Sequence, residues 1–196
     1  MTMLSGDVEK LPAARHPLLT SSILPTLSRL SVPNIIALTT QSMVVIAETS
    51  YIGILGIEPL AAMALVFPMI MLTQMMSSGA MGGGISSAIS RALGAGDSLR
   101  ARTLAVHAVV ISLIVGAGFT IFFLTLGPSI YRLLGGHGGV FAQAIVYSNT
   151  LFMGVIFIWL FNTLASIVRG TGDMRTPSIT VIAVACLQII LGGCLS

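Results

Sequence analysis

The sequence predicts an all-α integral membrane protein with five transmembrane helices. Three observations carry this. Of the 196 residues, 55% are hydrophobic and only 8% charged. The uncharged residues fall into long runs, and the basic residues gather in alternate connectors. A soluble domain carries about 25% charged residues. A chain with a mean hydropathy of +1.01 cannot cover a water-facing surface, so its solvent is lipid.

No Asp, Glu, Lys or Arg occurs in 30–47, 59–90, 103–131, 133–168 or 176–196, and after Glu48 the first run resumes to Ile57. A helix needs about 20 apolar residues to cross the hydrocarbon. Each run supplies one crossing, near 31–52, 60–82, 104–126, 141–164 and 178–196. Pro59 and Pro177 suit the first turns of spans two and five. Gly127-Pro128 and the glycine-rich 135–139 are expected to break the chain between spans three and four. Asp97 offers a helix N-cap. Gly79 and Gly83, four apart, suit close helix packing.

Residues 1–28 form a polar N-terminal arm with Asp7, Glu9, Lys10, Arg15 and three prolines. They hold no apolar stretch or cleavage site of a secretory signal. Eight basic residues (Lys10, Arg15, Arg29, Arg91, Arg100, Arg102, Arg169, Arg175) fall on one side of the five spans, and Arg132 alone on the other. The positive-inside rule makes the N-terminus cytoplasmic, in a cell (inner or plasma) membrane. The basic balance is thereby explained by topology, and no nucleic-acid partner is expected. Cys186 and Cys194 stand about 12 Å apart on one helix, too far for a disulfide. No metal-ligand cluster, nucleophile elbow or metalloprotease motif occurs, so neither an enzyme nor a bound cofactor is expected.

Glu48 is the candidate for chemistry. It lies about 22 Å along span one from Pro33 at 1.5 Å per residue. An intramembrane carboxylate costs about 2.5–3.5 kcal/mol on insertion scales and tends to face a cavity. Burying a carboxylate with no cationic partner favours its neutral form, and no Lys or Arg lies within a span. Such a group suits proton uptake and release, or sodium binding; the alternative is a carboxylate near enough to the interface to sit in water. Gln41, two turns earlier on the same face, extends a polar stripe with Ser42 and Thr49. Asn162 and Gln188 are lone amides in apolar runs, and interhelical hydrogen bonding serves as well for each. Tyr147 suits packing or an interface. Pro33 and Pro68 can kink their helices.

The string Glu48-Thr-Ser-Tyr-Ile-Gly53-Ile-Leu-Gly56, followed by Leu60-Ala61-Ala62, resembles the signature of the MATE (multidrug and toxic compound extrusion) family. Ser90-Arg-Ala-Leu-Gly-Ala-Gly-Asp97 and Arg169-Gly-Thr-Gly-Asp-Met-Arg-Thr-Pro177 resemble its cytoplasmic loops, and the likeness runs over about residues 25–196. The resemblance implies a twelve-span antiporter of two six-helix lobes. Such a protein exports drugs or toxic organic cations against a proton or sodium gradient, its only energy source. Matched by position, Glu48 takes the place of the cation-coupling acid. Gln41, Tyr147, Asn162 and Gln188 take cavity-lining places, and Pro33 that of a hinge proline. Glu48 replaces the usual Asp, Gln188 an Asn, and Gly192 stands where an acid is frequent, which leans the expectation to protons.

The resemblance also implies that residues 29–196 are a partial N-lobe lacking span six and the C-lobe, and that the chain alone does not transport. Two alternatives stand beside this reading. One is a non-transporting membrane remnant. The other is a lipid-linked oligosaccharide flippase of the wider superfamily, which lacks the Arg-Gly-x-Gly-Asp loop.

Overall fold

The computed structural model describes residues 23–195, so most of the arm predicted over 1–28 lies outside the described residues. Seven α-helices and one π-helical segment follow in order: α1 (Ile23–Ile54), α2 (Ile57–Gln74), the π segment (Met75–Met81), α3 (Gly82–Gly94), α4 (Ser98–Leu133), α5 (Gly138–Met153), α6 (Val155–Gly170) and α7 (Arg175–Leu195). No strand occurs among the described residues. Four stretches are long and apolar enough to cross a membrane: Ser31–Ile54, Ile57–Gly94, Ser98–Leu133 and Arg175–Gly192. The pair α5 and α6, bent by 43°, makes a fifth when taken as one span.

The described part of α1 begins at Ile23, inside the predicted arm, and the other spans overrun their predicted ends by several residues. The clearest departure is α4, which runs unbroken through Gly127-Pro128 to Leu133. Proline keeps a helical φ and removes one backbone donor. The helix continues here as it does through Pro33 in α1 and Pro68 in α2, because in a membrane bundle neighbouring groups and small local adjustments re-satisfy the freed backbone carbonyl. The chain breaks instead at Gly135, where φ is +92°.

Two irregularities shape the interior. In span two the π segment turns the helix so that Gly82 faces span four. A Cβ there would stand 2.6 Å from Ser166 Oγ, whereas Gly79 and Gly83, the pair expected to pack, face open space. In span four the α-helical pattern stops at Gly154, which bonds back to Leu151 O and accepts from Phe157 N in three-residue turns.

The first and fifth spans pack together as α1 against α7, and α2 lies on α5. The long helix α4 runs along both α5 and α6. The core gathers Val66, Phe123, Tyr131, Phe152, Val155 and Trp159. Phe123 and Phe152 stack with ring centroids 4.1 Å apart. Burial of such aromatics specifies the bundle through packing rather than through exclusion of water, since lipid is itself apolar. Many large apolar side chains are exposed, among them Ile46 (66%), Phe157 (72%) and Ile190 (62%). That outer surface is what a lipid-facing bundle presents.

Short connectors cap two of the helices. Asp97 Oδ1 caps α4 by accepting from Arg100 N at 2.8 Å. Asp173 does the same for α7, accepting from the backbone N–H of Arg175 at 2.9 Å and of Thr176 at 3.1 Å. The Thr176 hydroxyl donates to its other oxygen at 2.5 Å. The Asp173 carboxyl is held below the usual carboxylate range, first by the Thr176 hydroxyl and then by these N–H groups and Arg175.

Candidate functional site

Helix α1 turns Val44, Ala47, Glu48 and Tyr51 to one side, and α7 faces them with Val184, Leu187, Gln188, Leu191 and Gly192. These positions recur at three- and four-residue intervals, the spacing of one helix face. Between them lies a cavity of about 410 Å³. Its polar side chains are Glu48, Tyr51 and Gln188, and every other lining residue is apolar or glycine. Gln188 donates its Nε2–H to Glu48 Oε1. One turn further out the Tyr51 ring rests on Gly192, where a Cβ would meet its edge at 3.4 Å.

The remaining candidates divide. Tyr147, on α5, is half-buried and lines a separate groove with Gln143, Val146 and Thr150. Asn162 lies elsewhere. It is buried on α6 and donates Nδ2–H to Ser77 Oγ of the π segment at 3.0 Å, away from the lining of the Glu48 cavity. Gln41 is exposed and also outside that lining. Its expected companions Ser42 and Thr49 spend their hydroxyls on the carbonyls four residues back, at 3.1 Å and 2.7 Å. Pro33 lies within α1, ten residues from its first described residue.

Sequence reasoning passed over Glu58. Its carboxylate lies over the first turn of α5: a Cβ on Gly139 would stand 2.5 Å from Glu58 Oε2. Gln143 Nε2 also approaches that oxygen, at 3.5 Å. A carboxylate at a helix N-terminus is favourably placed against the macrodipole. The signal was present in the glycines opening α5, which leave room for a group from another helix.

Chemically, the α1–α7 cavity offers one carboxylate, one amide and one phenol within apolar walls. It can hold a proton or bind a cation through charge. Among the described residues no group of three metal-ligating side chains forms.

The apolar helical spans of the described residues, the first and fifth sharing a half-open cavity that holds one carboxylate, define a multi-pass membrane protein. The MatE family profile matches residues 33–193, and the chain belongs to that family. It is 27% identical over 177 residues to an FAD transporter of Shewanella oneidensis, covering 90% of this chain and 39% of that protein. It is 28% identical over 137 residues to the probable multidrug resistance protein YoeA of Bacillus subtilis, covering 70% of this chain and 29% of that one. Among solved structures it resembles an outward-facing multidrug resistance MATE transporter of the MOP superfamily (TM-score 0.80, 34% identity, 85% of this chain and 37% of that chain). A MOP superfamily transporter from Pyrococcus furiosus matches equally well (TM-score 0.80, 34% identity, 85% and 37%). The chain thus spans less than two fifths of the length of these relatives.

Proposed function

We propose that this chain is the N-lobe portion of an antiporter that exports drugs or organic cations in exchange for protons, with Glu48 as the proton-binding group. The observation that carries the reading is the Glu48 carboxylate hydrogen-bonded to Gln188 inside an otherwise apolar cavity. A hard cation seeks several oxygen ligands, six to eight for calcium. Here the lining side chains provide only the two carboxylate oxygens, the Gln188 carbonyl and the Tyr51 hydroxyl. Proton coupling therefore suits the site better than sodium. The gradient supplies the energy and no cofactor takes part. The N-terminus lies on the cytoplasmic side, where the basic connectors collect.

One relative's name raises an anionic substrate, FAD. A cavity whose charged group is a carboxylate repels a pyrophosphate, which favours the cationic reading. Since the chain spans 39% and 29% of the two relatives' lengths, its spans are proposed as one wall of a transport path and not as a transporter by themselves.

The test is proton-driven efflux by the full-length protein in reconstituted vesicles. Glu48→Gln should abolish efflux driven by a pH gradient. Efflux with its pH dependence intact in that variant removes Glu48 from the mechanism. Drug resistance conferred on an efflux-deficient host by residues 1–196 alone overturns the single-wall argument.

A further inference from the structure

The two ends of α4 treat their arginines differently. Near its last residue Arg132 lies over the Phe141 ring, its guanidinium carbon 5.0 Å from the centroid. At the other end Arg91, Arg100, Arg102 and Arg169 gather around the joint where α3, α4 and α6 meet.

Packing sets these four on one rim. Ile89 and Ala92 of α3 and Ala101 of α4 form a small buried cluster, and Ile167 of α6 packs against it. Gly170 of α6 stands so close to α3 that a Cβ on it would lie 2.9 Å from Ile89 Cβ and 3.1 Å from Ser86 O. Arg91 precedes Ala92, Arg100 and Arg102 flank Ala101, and Arg169 precedes Gly170. A helical residue next to a buried one is turned about 100° from it, so the four arginines border the joint.

Their charge is not answered within the protein. Among the described residues none of the four forms an ion pair. Arg169 is half-buried and donates Nη2–H to the neutral Ser166 hydroxyl at 3.0 Å. Arg91, Arg100 and Arg102 are exposed. Asp97 and Asp173, the acids of the two connectors, are turned to the caps of α4 and α7.

The rim also has an apolar side. Leu99 and Val106, 75% and 62% exposed, share one face of α4 with Arg102 at three- and four-residue spacing. The apolar spans Ile57–Gly94 and Ser98–Leu133 meet here. Arg91, Arg100 and Arg102 stand within about 6 Å of those span ends along the helix axes, at the depth of lipid headgroups.

We propose that this rim is a docking site for an anionic phospholipid. Its phosphate pairs with the guanidiniums, whose planar forks match phosphate oxygens in parallel bonds, and its chains lie along Leu99 and Val106. Those apolar neighbours select an amphiphile over free phosphate, which has nothing to cover them. The site is separate from the Glu48 cavity, whose lining contains none of these residues. A bound headgroup would tie α3, α4 and α6 together at their joint.

The test is native mass spectrometry of the 196-residue chain in neutral detergent, given phosphatidylglycerol or phosphatidylcholine in equal amount. The parent should retain phosphatidylglycerol in preference. Arg91→Gln, Arg100→Gln and Arg102→Gln should each weaken that retention by about fivefold, while Arg132→Gln should leave it unchanged. These side chains are exposed, so the variants should fold, and circular dichroism selects those that do. Inorganic phosphate should displace no more lipid than sodium chloride of equal ionic strength. Equal retention of the two lipids by the parent overturns the site, as does a loss in Arg132→Gln as large as in Arg100→Gln. Specific displacement by inorganic phosphate also overturns it and makes the rim a free-anion site.

Discussion

Gln188 of α7 donates its side-chain amide to the carboxylate of Glu48 in α1, 140 residues earlier in the chain. This bond joins the first and fifth spans inside the cavity they share. Interhelical polar bonds in membranes average about 0.6 kcal/mol, and bonds to charged groups in water-soluble proteins reach about 1.5–3 kcal/mol. Gln188→Leu should therefore lower stability by about 0.5–2 kcal/mol, read as a lowered melting temperature in detergent. No change in melting would mean that the amide finds an equal partner elsewhere.

Near the turn between the first two spans, Glu58 and Gly139 make a paired prediction. Gly139→Ala puts a Cβ where the end of the exposed Glu58 side chain lies, which can swing aside, so it should cost at most about 1 kcal/mol, the low end for overpacking. Glu58→Gln should cost a comparable amount, about 0.3–1 kcal/mol, as the charge at the helix N-terminus is lost. In the double variant the two effects should fall short of their sum, because both act on one contact. Strict additivity in thermal unfolding would separate the two residues.

Adjacent glycines in span two should behave oppositely. Gly82 faces Ser166 at close quarters, while Gly83 has open space around it. Gly82→Ala should destabilise by about 1–3 kcal/mol, and Gly83→Ala should stabilise by up to about 1 kcal/mol through helix propensity. Equal responses in unfolding experiments would contradict the turn of the helix produced by the π segment.

Asp173 carries a pH prediction. Its folded carboxyl is held below the usual range by the Thr176 hydroxyl, the backbone N–H groups and Arg175. The folded state thus binds fewer protons than the unfolded chain, so this cap contributes fully above the unfolded value of about 3.9. Its contribution fades as pH falls through the lower folded value. The Thr176 amide resonance should hold steady at neutral pH and shift only in strong acid, and Asp173→Asn should remove that shift. A Thr176 titration centred near neutral pH would refute the cap.

The spans were legible in the sequence because a missing charge is a local signal, and the acid at Glu48 stood out because an intramembrane carboxylate is costly. Asn162 and Gln188 show the limit. Both are amides in apolar helices, yet one reaches the π segment and the other the carboxylate. Which way each points depends on helix rotation, which packing sets. The π segment had the same origin: Met75–Met81 reads as ordinary helix, and its changed winding is visible only through what Gly82 meets. Pro128 misled because a proline within a membrane-spanning helix does not by itself end it, as Pro33 and Pro68 also show.

The central claim is that Glu48 takes up a proton in the α1–α7 cavity. Infrared difference spectra of the 196-residue chain in lipid, recorded on acidification, test it most directly. The account predicts a protonated-carboxyl band that is present in the parent, absent in Glu48→Gln and displaced in Gln188→Leu. Identical difference spectra for the parent and Glu48→Gln would contradict it.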